Sequence, residues 1–115
     1  MNNLQIFNNE KFGSIRTVEV NNEAYFVGKD VADILGYQNP SKAISMHVDE
    51  EDKEFVMMNI ADSQNGNLSI GQTKTAVINE SGLYSLILSS KLPTAKEFKR
   101  WITHEVIPAI RKTCL

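Results

Sequence analysis

The chain holds one cysteine in 115 residues, Cys114, so it can build neither a disulfide framework nor a thiolate metal cluster. Such sparing use matches a reducing compartment. No apolar run approaches the ~20 residues that span a bilayer. The start, MNNLQIFNNEKFG, lacks the basic-then-apolar order of a secretory signal. A cytoplasmic location with no membrane partner is the expectation. Excess positive charge is missing too: twelve Lys and Arg stand against fourteen Asp and Glu, a net −2. Bulk electrostatics therefore do not select a polyanion. No G-x-S-x-G, P-loop or G-x-G-x-x-G occurs. Both histidines, His47 and His104, stand among helical neighbours, and the acids after His47 lack the glycine and alternate spacing of a calcium loop. Asp30 and Asp33 share one face of a short helix, where acids suit the dipole. No catalytic residue, metal ligand or cofactor is expected, which leaves a binding module rather than an enzyme.

What is present is enough apolar content, 42%, for one domain with a real core. Charge is segregated along it. The knot DEEDKE at 49–54 carries five acids, while residues 91–115 hold six Lys and Arg against two Glu. Segregation of this kind can raise a local positive field on an acidic protein, or it can close up as internal ion pairs. The basic residues cluster on the stretch Thr94–Lys112. At a helical period its Phe98, Trp101, Ile102, Val106 and Ala109 share one face, with Ala95 and Ile110 at the margins. Lys96, Arg100 and Arg111 stand opposite within an arc of about 60°, flanked by Lys99 and Thr103, with Lys112 beyond. Thr94 and Glu97 are spaced as a capping box. Pro108 lacks an N–H and crowds the carbonyl of His104, so a kink or a restart is expected there.

Before this helix, Leu4–Phe7, Ser14–Val20 and Ala24–Val27 alternate as strands joined by Asn-rich turns, a three-stranded meander. Ile6, Ile15 or Val18, Val20 and Phe26 would form its inner face. Lys29–Leu35 reads as a helix stopped by Gly36. Asn39-Pro40 then offers a cap and a first-turn proline for a second helix, Ser41–His47. Two short helices about a tight turn fit a helix-turn-helix, in which Ser41, Lys42 and Ser45, with His47 as a further candidate, would approach a groove. Ordinary αα-corners share that spacing. The acidic knot reads as a solvated turn. Glu54–Ile60 and Thr73–Asn79 read as a later hairpin, with an Asn-Gly turn signal within Gln64–Asn67. Asn79-Glu80-Ser81-Gly82 starts a helix that runs through Leu83–Ser90 and precedes the basic one. The order is βββ-αα-ββ-αα: α+β, antiparallel strands with about four helices.

Five blocks of residues carry a resemblance. They are Tyr25–Ala32 with Leu35-Gly36-Tyr37 and Asn39–Ala43, then His47–Lys53, Asn79–Tyr84, Arg100-Trp101, and Glu105–Pro108 through to Thr113. In this order they resemble the Bro-N domain, found at the head of phage and prophage antirepressors and of repeated open reading frames in large DNA viruses. The resemblance spans nearly the whole chain. It implies that residues 1–115 are one Bro-N-like domain, the N-terminal part of a longer protein, with a nucleic-acid-binding role. Two departures stand out. Ser45 and Met46 replace basic residues common in the family before the His-Val-Asp block, and Leu88–Lys91 is poorer in arginine.

Two functions follow as expectations. In the first, a DNA-binding regulatory domain of an antirepressor, Lys96, Lys99, Arg100, Arg111 and Lys112 contact phosphates while Ser41, Lys42 and Ser45 approach bases. In the second, the domain binds and inactivates a phage repressor protein without touching DNA. A regulator of palindromic sites would be a homo-oligomer.

Overall fold

The computed structural model describes residues 4–59 and 72–113, with 58, 59, 72, 73 and 111–113 described by backbone alone. The strands β1 (Leu4–Asn9), β2 (Gly13–Val20) and β3 (Glu23–Val27) lead into helices α1 (Gly28–Ile34) and α2 (Pro40–His47). A 3₁₀ turn (Glu50–Asp52), β4 (Lys53–Asn59), β5 (Gln72–Ile78) and helix α3 (Glu80–Ser89) follow. The last rod comprises α4 (Ala95–Trp101), a π turn (Ile102–Val106) and α5 (Ile107–Thr113). The α+β order read from the sequence is present. What spacing alone did not show is that the later hairpin joins the meander. Phe26 pairs with Ile78 and Val27 with Val77, giving one antiparallel sheet in the order β1-β2-β3-β5-β4.

Local chemistry sets the corners. Asn21 and Asn22 close the β2–β3 hairpin with φ of 52° and 65°, the left-handed pair that matches strand twist and that asparagine tolerates. Gly36 (φ 85°) ends α1 in a Schellman turn: its N–H donates to Asp33 O, and the Tyr37 N–H to Ala32 O. Asn39 Oδ1 caps α2 by accepting from the Lys42 N–H, and Asn79 Oδ1 caps α3 from the Gly82 N–H. Where β3 turns into α1, the Arg16 N–H donates to Asp30 Oδ2 instead, and the guanidinium clasps both oxygens of that carboxylate at 2.9 Å.

Strand alternation sorts the sheet's two faces. Phe7, Ile15, Phe26 and Ile78 share the side covered by helices, in one core with Val31, Leu35, Leu83, Leu86, Phe98 and Trp101. Val18, Tyr25, Val27, Val56 and Val77 form a smaller cluster on the other side. The inner face expected from sequence is thereby corrected. Ile15 and Phe26 belong to it, whereas Val20 packs on the far cluster and Ile6, opposite Arg16, is 55% exposed.

The rod departs from expectation at both ends. Thr94 adopts φ −80°, ψ −5° and makes no capping bond, because a capping box needs an extended residue there. Glu97 pairs with Lys11 of the β1–β2 loop instead. Near Pro108 the rod changes pitch without unwinding, and α5 starts at Ile107. The Ile107 N–H donates to Ile102 O, five residues back, and the wider π turn carries the rod past the missing donor. That turn adds a residue to the helical count, so Ile107 and Ile110 are buried while Ala109 is only half-buried. The acidic knot is more than a solvated turn: Asp52 accepts from both the N–H and the side-chain amide of Asn79. The Gln64–Asn67 turn lies outside the described residues.

Candidate nucleic-acid interface

The basic ridge is positioned by the aromatic side of its own helix. Phe98 and Trp101 are buried with ring centroids 5.9 Å apart. Phe12 from the β1–β2 loop meets Phe98 edge-on at 5.5 Å and stacks on Trp101 at 6.0 Å. With that face clamped, Lys96, Lys99 and Arg100 can point only outward, and all three are exposed. They rim a shallow depression of about 360 Å³ with Glu97, Thr103 and His104. The Lys11–Glu97 ion pair ties the loop to α4 and neutralises the acid set among these cations. Among the described residues, Lys96, Lys99 and Arg100 form no ion pair. The side chains of Arg111 and Lys112, expected on the same ridge, lie outside what is described.

A larger hollow of about 1020 Å³ separates the β1–β2 loop from the rod. Its walls carry both signs, Lys11 and Arg100 against Glu10, Glu97 and Glu105. Mixed charge suits it poorly to a polyanion.

Ser41, Lys42 and Ser45 are exposed on α2, whose Ala43 and Ile44 face the core. His47 is half-buried with its ring 5.7 Å from Tyr37, and the Tyr37 hydroxyl donates to Leu86 O at 2.8 Å. Burial pushes the Tyr37 hydroxyl above its ordinary pKa, partly offset by a hydrogen bond with Ser89. Tyr37 is thus a strut between the α1–α2 turn and α3. Helix α3 packs against both α2 and α4, so the two groups of predicted contact residues stand on separate helices that share it as a neighbour. The structure does not merge them into one cluster. Sequence reasoning passed over Lys74, whose ammonium sits 4.7 Å from the ring of half-exposed Phe55 on the β4–β5 hairpin.

Among the described residues, no group of three His, Cys, Asp or Glu side chains could hold a metal ion, and no helix is long and apolar enough to cross a membrane. What the fold defines is an α+β domain with a cationic helix face. Residues 14–108 match the N-terminal domain of the BRO family, and the chain belongs to that family. It is 39% identical over 100 residues to a Bro-N domain-containing protein of Invertebrate iridescent virus 6 (289L), covering 76% of this chain and 24% of that protein. It is 36% identical over 112 residues to Bro-N domain-containing protein ORF2 of Autographa californica nuclear polyhedrosis virus, covering 90% and 34%. A protein of Haemophilus influenzae is 38% identical over 93 residues, covering 79% and 41%. The chain therefore spans a quarter to two-fifths of the length of these relatives. No solved structure matches it.

Proposed function

We propose that this Bro-N domain is the DNA-binding regulatory part of a phage or prophage antirepressor acting in transcriptional control. The observation that carries the reading is the ridge itself: three exposed cations on one helix, free of ion pairs among the described residues, beside an acid already held by Lys11. An acidic protein with a segregated cationic face can bind a polyanion locally. Lys96, Lys99, Arg100, Arg111 and Lys112 contact phosphates; Ser41, Lys42 and Ser45 approach the groove. Salt titration of binding to duplex DNA tests this, with the Lys96→Glu/Arg100→Glu protein alongside. Removing two phosphate contacts should make the log–log salt slope shallower by about 1.8 and weaken binding to every sequence. Unchanged affinity removes the ridge from the mechanism.

One observation favours a second reading, in which the domain captures a phage repressor protein. Leu88, 81% exposed, lines a depression of about 310 Å³ with Tyr84, Ile87 and Lys99, an apolar surface with a charged rim. A pull-down with the cognate repressor beside a gel shift on operator DNA separates the two.

A further inference from the structure

β5 pairs with β3 only at Phe26↔Ile78 and Val27↔Val77, because the chain enters α1 at Gly28. β4 and β5 stay paired well past that point, from Phe55↔Ala76 to Asn59↔Gln72. Beyond the sheet they form a two-stranded ribbon. Alternation places Phe55 and Met57 on the face that carries Ile78 at its base, hence on the helical side. Both are 55% exposed, and Lys74 lies opposite Met57 with its ammonium over the Phe55 ring.

The base of the ribbon and α2 meet at Gly28. A Cβ on Gly28 would lie 2.6 Å from Ile44 Cδ1 and 3.4 Å from the Ala76 carbonyl oxygen, so α2 and β5 converge on this one glycine. Ile44, on the buried side of α2, thus sits near the base of the ribbon, and Ser41, Lys42 and Ser45 are on the exposed side of the same helix.

We propose that the Phe55–Met57–Lys74 face of the ribbon and the exposed side of α2 form one groove-reading surface for duplex DNA. This rests on the DNA-binding reading above and names a part of the interface that reading lacks. The occupant follows from chemistry. A two-stranded ribbon fits a major groove about 12 Å wide. Exposed Phe and Met supply the apolar contacts that meet thymine methyls or wedge base steps. Lys74 and Lys42 place cations on both parts of the surface, and from Phe55 to Met57 the ribbon face carries no carboxylate opposing a phosphate.

The test measures fluorescence anisotropy on a 30-base-pair duplex that the wild-type protein selects from a randomised pool, and on a mixed-sequence duplex. Phe55→Ser/Met57→Ser should weaken binding to the selected duplex about tenfold and leave mixed-sequence binding nearly unchanged. Lys74→Glu should make the salt slope shallower by about 0.9. All three residues are exposed, so an unchanged thermal midpoint confirms that the variants fold. Wild-type affinity in both variants, while Arg100→Glu still weakens binding, overturns the ribbon and leaves the ridge standing. Absence of binding by the wild type to any duplex overturns both. A concentration-dependent dimer that Phe55→Ser/Met57→Ser abolishes, with duplex binding intact, reassigns the face to self-association and overturns the proposal.

Discussion

The rod's cationic face and the surface of α2 with its neighbouring ribbon are built on opposite logics. The ridge is carried by a helix whose other side is the heart of the core, with Phe98, Trp101, Ile102 and Val106 buried. Its charges are dense and its aromatics hidden. Along α2 and the ribbon the charges are sparse, one lysine on each, while Phe55 and Met57 lie half in solvent on a hairpin extending beyond its sheet. The difference teaches which task each can perform. A dense cationic face attracts any phosphate backbone without discrimination. A sparsely charged surface of hydroxyls and apolar groups has little pull at a distance, but can distinguish one base edge from another on contact.

The sharpest break in that comparison comes from the core side of the ridge. Phe98 is fully buried and touches both Phe12 and Trp101. Phe98→Ala should cost about 3–5 kcal/mol in urea denaturation, through lost transfer energy and the cavity left behind. The exposed Phe55→Ser/Met57→Ser pair should stay within about 0.5 kcal/mol of wild type. Equal losses from the two would mean that the ribbon is packed like the core, and the contrast would collapse.

A smaller effect sharpens the junction of α2 with the ribbon. Gly28→Val puts branched carbon where Ile44 Cδ1 and the Ala76 carbonyl already crowd. Ile44 can swing aside only by giving up its own burial, so the cost should be about 1–3 kcal/mol. The change should alter chemical shifts along α2 and β5 while leaving those of Lys96, Lys99 and Arg100 in place. Shifts spreading evenly into α4 would show that the two regions are one mechanical unit.

How much of this was legible in the sequence depended on the range of each contact. Asn21-Asn22, Gly36 and the Asn39 cap were readable because a turn or a cap is decided by neighbours a few residues away. The ridge was readable for the same reason, since helical period alone puts Lys96 and Arg100 opposite Phe98 and Trp101. Glu97 was misread: a local capping rule competed with Lys11, which lies far away in sequence. The π turn, too, escaped notice, because proline rules anticipate a break and do not say how a helix absorbs one. The ribbon stayed hidden because Phe55-Val56-Met57-Met58 is an apolar run like that of any core strand. Their exposure is decided by β3 ending at Val27, on a distant part of the chain.

The least expected change concerns Tyr25, on the sheet face away from the helices and opposite the one that carries Phe55 and Met57. Burial pushes its hydroxyl above the ordinary value of 10.0, and the carboxylates of Glu23, Glu54 and Asp52 add to the shift. The sign follows directly. Below pH 10 the hydroxyl is neutral in the folded and the unfolded chain, and the native state keeps its full stability. Above it the unfolded chain ionises first, so stability drains away as pH climbs through the higher folded value. Tyr25→Phe removes that linkage and should flatten the alkaline limb of the thermal midpoint against pH, with no effect on duplex binding at pH 7. If the limb is as steep in the variant, Tyr25 is not the group that titrates, and Tyr37, raised by burial between α2 and α3, is next to be replaced. A change in DNA affinity on Tyr25→Phe would be more consequential. It would couple the far face of the sheet to the interface, and the separation of fold from recognition drawn between the two regions would no longer hold.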